Sequence, residues 1–384
     1  MNMNPSLKRR YRADQRFKFY GMTAIAFALS FLAFFFSDII SKAVPAFEQA
    51  YVQVPVTYDE SIIKNYNLAI PRELSSLVSK SYLRTLPKKL KENPELLGTT
   101  HDEWALASHR VDQYLKDHDG HGLKKKYARV VDDMKATGRV EMRFNSDFFA
   151  EGDSKMAENA GVLAAAMGSI FVLLITIAVA VPIGVMTALY LEEFAADNRF
   201  TQAIEVNINN LAAIPSILYG LLGLAIFINV MGVPRSSALA GGLTLALMTL
   251  PVIIISTRAA LRSVPESIRD AAFGLGASNL QVVMHHVLPL AFPGILTGSI
   301  IGLAQAMGET APLLIVGMMA YIPDAPTSIL DATTVLPAQV YTWSSESMRA
   351  FEERTAAGIL VLLTVLLSLN ALAVWLRSRT QKTW

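Results

Sequence analysis

The sequence predicts an all-α polytopic membrane protein: six transmembrane helices in a bundle, with a small mixed soluble domain inserted between the first and second. Three observations predict it. Of the 384 residues, 52% are hydrophobic, and they gather into six runs close to or above the ~20 apolar residues a bilayer core demands. Residues 41–160, between the first two runs, are rich in Lys, Arg, Asp and Glu. A polar stretch at 263–289 separates the fourth run from the fifth and carries the signals of two short helices.

Residues 1–18 form a basic N-terminus with Lys8, Arg9, Arg10, Arg12, Arg16 and Lys18, which the positive-inside rule puts in the cytoplasm. The first run, 19–40, is too long for a signal peptide and lacks the small-residue cleavage pattern. Counting spans then puts 41–160 outside, as an extracytoplasmic (periplasmic) domain. Its apolar positions, among them Val54, Leu74, Leu83, Trp104, Leu106, Val111, Tyr114 and Leu115, suffice for a small core. The spacing predicts an amphipathic helix over 104–115 and a strand over 139–149 that runs on into a loop. Asp117, His118, Asp119 and His121 bring two carboxylates and two imidazoles together. With no further ligand cluster, the Asp119-Gly120 step reads as a hydrated turn, and no metal site is expected.

The C-terminal core is 161–376, with runs at 161–190, 208–231, 237–256, 291–318 and 356–376. A tail at 377–384 with Arg377, Arg379 and Lys382 is predicted cytoplasmic. Pro182, Pro215, Pro251 and Pro312 each fall inside an apolar run. Helix breaks at membrane depth need cover from protein or a water-filled cavity, so four of them point to a moving, pathway-lining bundle. Gly294, Gly298, Gly302 and Ala306 make a small-residue stripe down the fifth run. Packing within one subunit and an interface between subunits fit that stripe equally.

In the polar stretch, Ser263 with Glu266 reads as a capping box and Pro265 as a first-turn proline. Gly276 ends the first helix, and Ser278 with Gln281 starts a second. Ile268, Ala271, Ala272 and Leu275 share one apolar face, suited to docking in a groove of another protein. Arg258, Arg262 and Arg269 agree with a cytoplasmic position; the acidic 192–205 loop adds no support.

Asp270-Ala271-Ala272, Gly276 four residues on and Leu288-Pro289 beyond resemble the EAA loop of ABC-transporter membrane subunits. The resemblance implies a coupling helix in which Ile268, Asp270, Ala271, Ala272, Leu275 and Gly276 contact a separate ATPase. Asp270 stands where Glu is usual and His286 where an aliphatic residue is usual, and neither removes the apolar face.

Glu309 sits in the run Gly308-Glu309-Thr310-Ala311-Pro312-Leu313-Leu314. On the residues alone it either lines a pathway or reaches the outer headgroups, ~30 Å along a helix from Pro289. The flanking Gly and Pro favour a broken helix end. Together with Ile214-Pro215-Ser216-Ile217-Leu218-Tyr219-Gly220 and Leu189-Tyr190-Leu191-Glu192-Glu193, this motif resembles the PstA family of phosphate permeases over about 161–384. The resemblance implies a MetI-like ABC permease bundle in a bacterial inner membrane. Its expected partners are a PstC-type permease, a PstB-type ATPase dimer, a PstS-type periplasmic phosphate-binding protein and membrane lipid, with no nucleic acid and no cofactor. Glu309, Thr310, Gln305 and Arg258 are then the expected pathway residues. Gln305 and Ile255 occupy places where that family often has arginine, and Arg258 lies one turn beyond Ile255. A carboxylate can accept the O–H of hydrogen phosphate, which sulfate lacks.

The chain has no cysteine, so disulfides, thiolate metal sites and Cys nucleophiles are excluded. It has no G-x-x-x-x-G-K-[ST] phosphate loop, and neither H-E-x-x-H nor G-x-S-x-G, so no enzyme activity is expected. The alternatives are a permease for another oxyanion and a secondary transporter, which has no use for a docking hairpin. A membrane-anchored sensor leaves four spans unexplained.

Overall fold

The computed structural model describes residues 5–116 and 122–380. Lys382 and the cluster Asp117 to His121 lie outside the described residues.

Helix α1, Pro5–Ala43, is 39 residues of continuous helix, about 58 Å long. Every described side chain from Arg9 to Phe35 is exposed; Ile39 and Ala43 are buried, so among the described residues α1 packs through its last two turns. An exposed Asp38–Lys42 ion pair (2.8 Å) marks the end of its apolar stretch.

The inserted domain is a three-stranded antiparallel sheet in which β1, Glu48–Thr57, lies between β2, Thr100–Leu106, and β3, Val140–Phe144, with helices packed on it. Strand β1, Glu48–Thr57, turns Ala50, Val52, Val54 and Val56 inward at the two-residue period of a strand. Helix α2, Lys80–Glu92, answers with Leu83, Leu86 and Leu90 on one face. Pro55 is tolerated in the middle strand because the β3 pairing ends at Val52, leaving β1 laddered on one side there. Strand β2 is Thr100–Leu106, followed by α3, His109–Leu115; α4, Lys125–Ala136; and β3, Val140–Phe144. The single helix expected over 104–115 is therefore a strand end and a separate helix. Trp104 and Leu106 follow the period of a strand, and only Val111, Tyr114 and Leu115 follow that of a helix. The strand expected over 139–149 holds to Phe144, then gives way to a helical turn, Asp147–Ala150.

Buried polar contacts fix this domain to the bundle. Lys116 Nζ lies 2.7 Å from Asp112 and 3.1 Å from Glu353, with its side chain 5% exposed. Gln113 donates to Glu353 (2.5 Å); within 41–160, Ser79 donates to Glu158 (2.8 Å) and Ser81 to Asn159 (2.7 Å), fixing the segment that leads into the bundle. Buried Arg354 donates to the carbonyls of Ala157 (2.9 Å) and Ala46 (3.1 Å).

The bundle follows: α5, Leu163–Phe194; α6, Arg199–Ala212; α7, Ser216–Val230; α8, Ala238–Arg262; α9, Glu266–Gly274; α10, Asn279–Gly308; α11, Ala311–Ile315; α12, Leu336–Ser344; and α13, Ala350–Thr380. Among the described residues, five helices are long and apolar enough to cross a membrane, six when α6 and α7 count as one span bent by 105°. The third run is thus a broken helix pair, not one continuous helix. The fifth ends at Gly308 and resumes as α11. Of the four expected proline breaks, two form. Pro215 lies at the α6–α7 bend and Pro312 is the second residue of α11, whereas α5 and α8 run unbroken through Pro182 and Pro251. Pro251 is buried within α8, the most buried span, whereas Pro182 lies on the exposed side of α5. The glycine stripe of α10 packs within the chain: a Cβ at Gly294 would strike Ala260, and one at Gly298 would strike Ser256, both on α8.

Candidate functional site

Two features single themselves out, one at each end of α10. At its start, α9 and the first turn of α10 form a hairpin. Gly276 makes the bend with φ +84°, a left-handed conformation open to glycine, and no atom lies near where a Cβ would point. The Ser278–Gln281 capping box is present. The box expected at Ser263 and Glu266 is not. Ser263 instead donates to Ala260 O (2.6 Å) at the end of α8, and Pro265 stands at the N-cap of α9.

The hairpin is bolted to the end of α5. Arg269 donates to Glu193 (2.8 Å) and to the carbonyls of Val264 (2.8 Å) and Leu261 (3.0 Å). Arg262 meets Glu192 at 2.6 Å, and Arg258 bridges Glu192 (3.0 Å) and Glu205 (2.6 Å). Asn279 donates to Glu193 O (3.2 Å). The acidic residues that looked unhelpful in sequence are the seats for these arginines. Oppositely charged residues just past the second and fourth runs were the signal for them.

Packing divides the expected apolar face. Ala272 is buried with Leu261, Val264, Val282 and Val287, and Ile268 packs against the same cluster. Asp270, Ala271, Leu275 and Gly276 point to the outside, Leu275 being 90% exposed, and Phe273 joins them at 46%. Helical spacing did not reveal that Ala272 serves the chain's own core, nor that Phe273 stands out.

At the other end, Gly308 closes α10, Glu309 is extended (φ −82°, ψ 117°) and α11 begins with Pro312 near its start. Glu309 and Thr310 are half-buried. Among the described residues the Glu309 carboxylate has no hydrogen bond or ion pair. Gln305 is exposed in a row with Ile301 and Gly308, opposite the buried Gly298, Gly302 and Ala306.

The structure brings the two motifs around 214–220 and 308–314 together. A Cβ at Gly220 would collide with Pro312 and Ile315, so α7 lies directly on α11. Tyr219 donates to Leu211 O (2.7 Å) across the α6–α7 bend and shares a core with Ala306, Leu313 and Val316. Ser236 donates to Gly317 O (2.7 Å), tying the segment after α7 to the segment after α11. Arg258 is not part of this assembly. Because Gly294 meets Ala260 and Gly298 meets Ser256, Arg258 lies level with about residue 296, roughly 20 Å along α10 from Glu309.

Among the described residues, no three His, Asp or Glu side chains converge as a metal site.

Comparison with known proteins gives two family matches. Residues 180–382 match the binding-protein-dependent transport system inner membrane component, and residues 4–71 and 67–124 match a domain of unknown function, DUF3333. The chain is 29% identical over 247 residues to the probable ABC transporter permease protein YqgI of Bacillus subtilis, covering 61% of this chain and 84% of that one. It is 35% identical to the phosphate transport system permease protein PstA of Mycobacterium leprae over 47% of this chain and 59% of that one. It is 30% identical to the PstA of Haemophilus influenzae over 58% and 78%. Among solved structures, an inward-facing MetNI methionine ABC transporter matches with TM-score 0.44 and 17% identity, over 58% of this chain and 95% of that one.

Proposed function

Because the chain belongs to the family of binding-protein-dependent transport system inner membrane components, we propose that it is the permease subunit of an ATP-driven importer of inorganic phosphate. Membership makes it a multi-pass membrane subunit of an ABC importer, a family that works with an ATPase and a substrate-binding protein. Phosphate is supported by the names of the relatives and by the chemistry of Glu309. A half-buried carboxylate without an internal partner, beside a helix break, accepts a hydrogen bond from hydrogen phosphate and repels an anion that has no O–H.

The observation that carries the coupling role is Leu275. An apolar side chain 90% exposed, on a hairpin whose other side is packed and ion-paired, is shaped to fill a hollow in a second protein. The proposed arrangement puts the hairpin and both termini in the cytoplasm, the inserted domain in the periplasm, and a PstB-type ATPase dimer against Asp270, Ala271, Phe273, Leu275 and Gly276. A PstC-type permease completes the pathway, and a PstS-type protein delivers phosphate. Closing of the ATPase pushes α9, and the Arg269–Glu193 pair passes the push to α5. The bundle then switches between two packings. Arg258, held by Glu192 and Glu205, braces this joint, and positive charge for the anion comes from the partner permease.

Vesicles carrying the assembled transporter test both parts. Phosphate with its binding protein should stimulate ATP hydrolysis, and sulfate should not; equal stimulation removes the ion assignment. Leu275→Asp should abolish uptake in a subunit that still inserts. Normal uptake by that variant would end the coupling role and leave the ion assignment standing.

A further inference from the structure

We propose that the inserted domain rests on the lipid bilayer through an aromatic ladder of Phe47, Phe149 and Phe144, seated in the headgroup boundary. Phe47 and Phe149 stack with centroids 5.8 Å apart and planes 3° apart, and Phe149 and Phe144 follow at 6.3 Å and 12°. The exposure rises outward: Phe47 is half-buried, Phe149 is 44% exposed and Phe144 is 67% exposed. A stack of three phenyl rings facing water is an apolar patch that soluble surfaces avoid unless something covers it.

Its place in the fold names the cover. Phe47 lies four residues beyond Ala43, the end of a helix whose exposed apolar side chains span the membrane. From Lys42, the last charged residue of α1 and the partner of Asp38, to Phe47 the chain advances ~8–10 Å, comparable to the depth of one headgroup layer. Phe144 lies opposite Glu48 in the register of the sheet, at the α1 end of β1. The ladder is therefore continuous with the lipid-facing surface of α1, at the level where aromatic rings collect in membrane proteins. The other end of the sheet is about 30 Å away, where Thr57 pairs with Thr100. This inference rests on α1 as a span and not on the transported ion.

The absence of cysteine makes the test direct. Phe144→Cys and Phe149→Cys, with Glu95→Cys as the distal reference, are labelled with a nitroxide in the full-length subunit within the assembled transporter. Vesicles of phosphatidylethanolamine and phosphatidylglycerol hold it. Power saturation then compares collisions with oxygen, which enters lipid, against a nickel chelate, which stays in water. Positions 144 and 149 should show an oxygen-to-nickel ratio several-fold above that at 95. A ratio at both equal to that at 95 means the ladder faces water and overturns the proposal. Exclusion of both reagents means that protein covers it, and overturns it equally. Circular dichroism matching that of the unlabelled subunit confirms that each ratio is read on a folded domain.

Discussion

Tyr219 holds the α6–α7 bend with one hydrogen bond to Leu211 O, and Gly220 beside it lets α7 lie on Pro312. Tyr219→Phe removes that bond and should cost about 1 kcal/mol, seen as a small drop in the melting temperature of the detergent-solubilised subunit. Gly220→Val forces the two broken spans apart and should cost about 1–3 kcal/mol, with uptake impaired beyond what the lost stability explains. Glu309→Gln keeps the shape and removes the charge. Losing a charge-assisted hydrogen bond, at about 1.5–3 kcal/mol, predicts phosphate uptake lower by roughly ten- to a hundredfold in a subunit that inserts normally. Both motifs were legible in the sequence as prolines and a carboxylate inside apolar runs. Their contact was not, because residues 220 and 312 are joined only by packing across separate helices. Arg258 was read as a pathway residue because it lies one turn beyond Ile255, a place where the resembled family often has arginine. The carboxylates that hold it stand on α5 and α6, far away in the chain.

At the scale of elements, the hairpin is a short helix held by arginines. Arg269→Met strips the partner from Glu193, whose side chain is 7% exposed, and should destabilise the joint by about 3–5 kcal/mol. The expected readout is ATP hydrolysis by the assembled transporter that no longer responds to phosphate. Gly276→Ala meets no neighbouring atom, so its cost is the left-handed backbone alone, about 1–2 kcal/mol, and uptake should fall less than with Arg269→Met. Sequence periodicity located this element, its bend and its second cap. It did not show which apolar residues turn inward, since Ala272 and Leu275 differ by less than a turn and only the neighbouring helices tell them apart. Ser263 illustrates the same ambiguity: a hydroxyl between two helices closes one or opens the other, and here it closes α8.

For the whole molecule, the inserted domain and the bundle are joined by charges taken out of water. Lys116→Met leaves Asp112 and Glu353 without that ammonium and should cost about 3–5 kcal/mol, separating the unfolding of the domain from that of the bundle in a thermal scan. Within the domain, burial pushes the Glu103 carboxyl up, but hydrogen bonds from Lys89, Tyr58 and Tyr82 outweigh it and hold it below the usual carboxylate range. A carboxylate depressed in the folded state stabilises above its unfolded pKa of about 4.3, and that stability is lost as pH falls through the folded value. Glu103→Gln should therefore flatten the loss of domain stability with acid below about pH 4, followed by circular dichroism. The number of spans and the inserted domain could be read from composition, because apolar runs of membrane length have few other uses. The 105° bend and the docking of the domain depend on pairs far apart in sequence, such as Gln113 with Glu353, and only folding discloses them.

The shallow grip of α1 on the rest of the chain has a mechanical consequence. A rod anchored at one end works as a boom: a tilt of about 10° at its two seated turns sweeps the basic end sideways by about 10 Å, given its length. Among the described residues no packing beyond those two turns has to break, so the amino-terminal end can swing while the rest of the chain keeps its contacts.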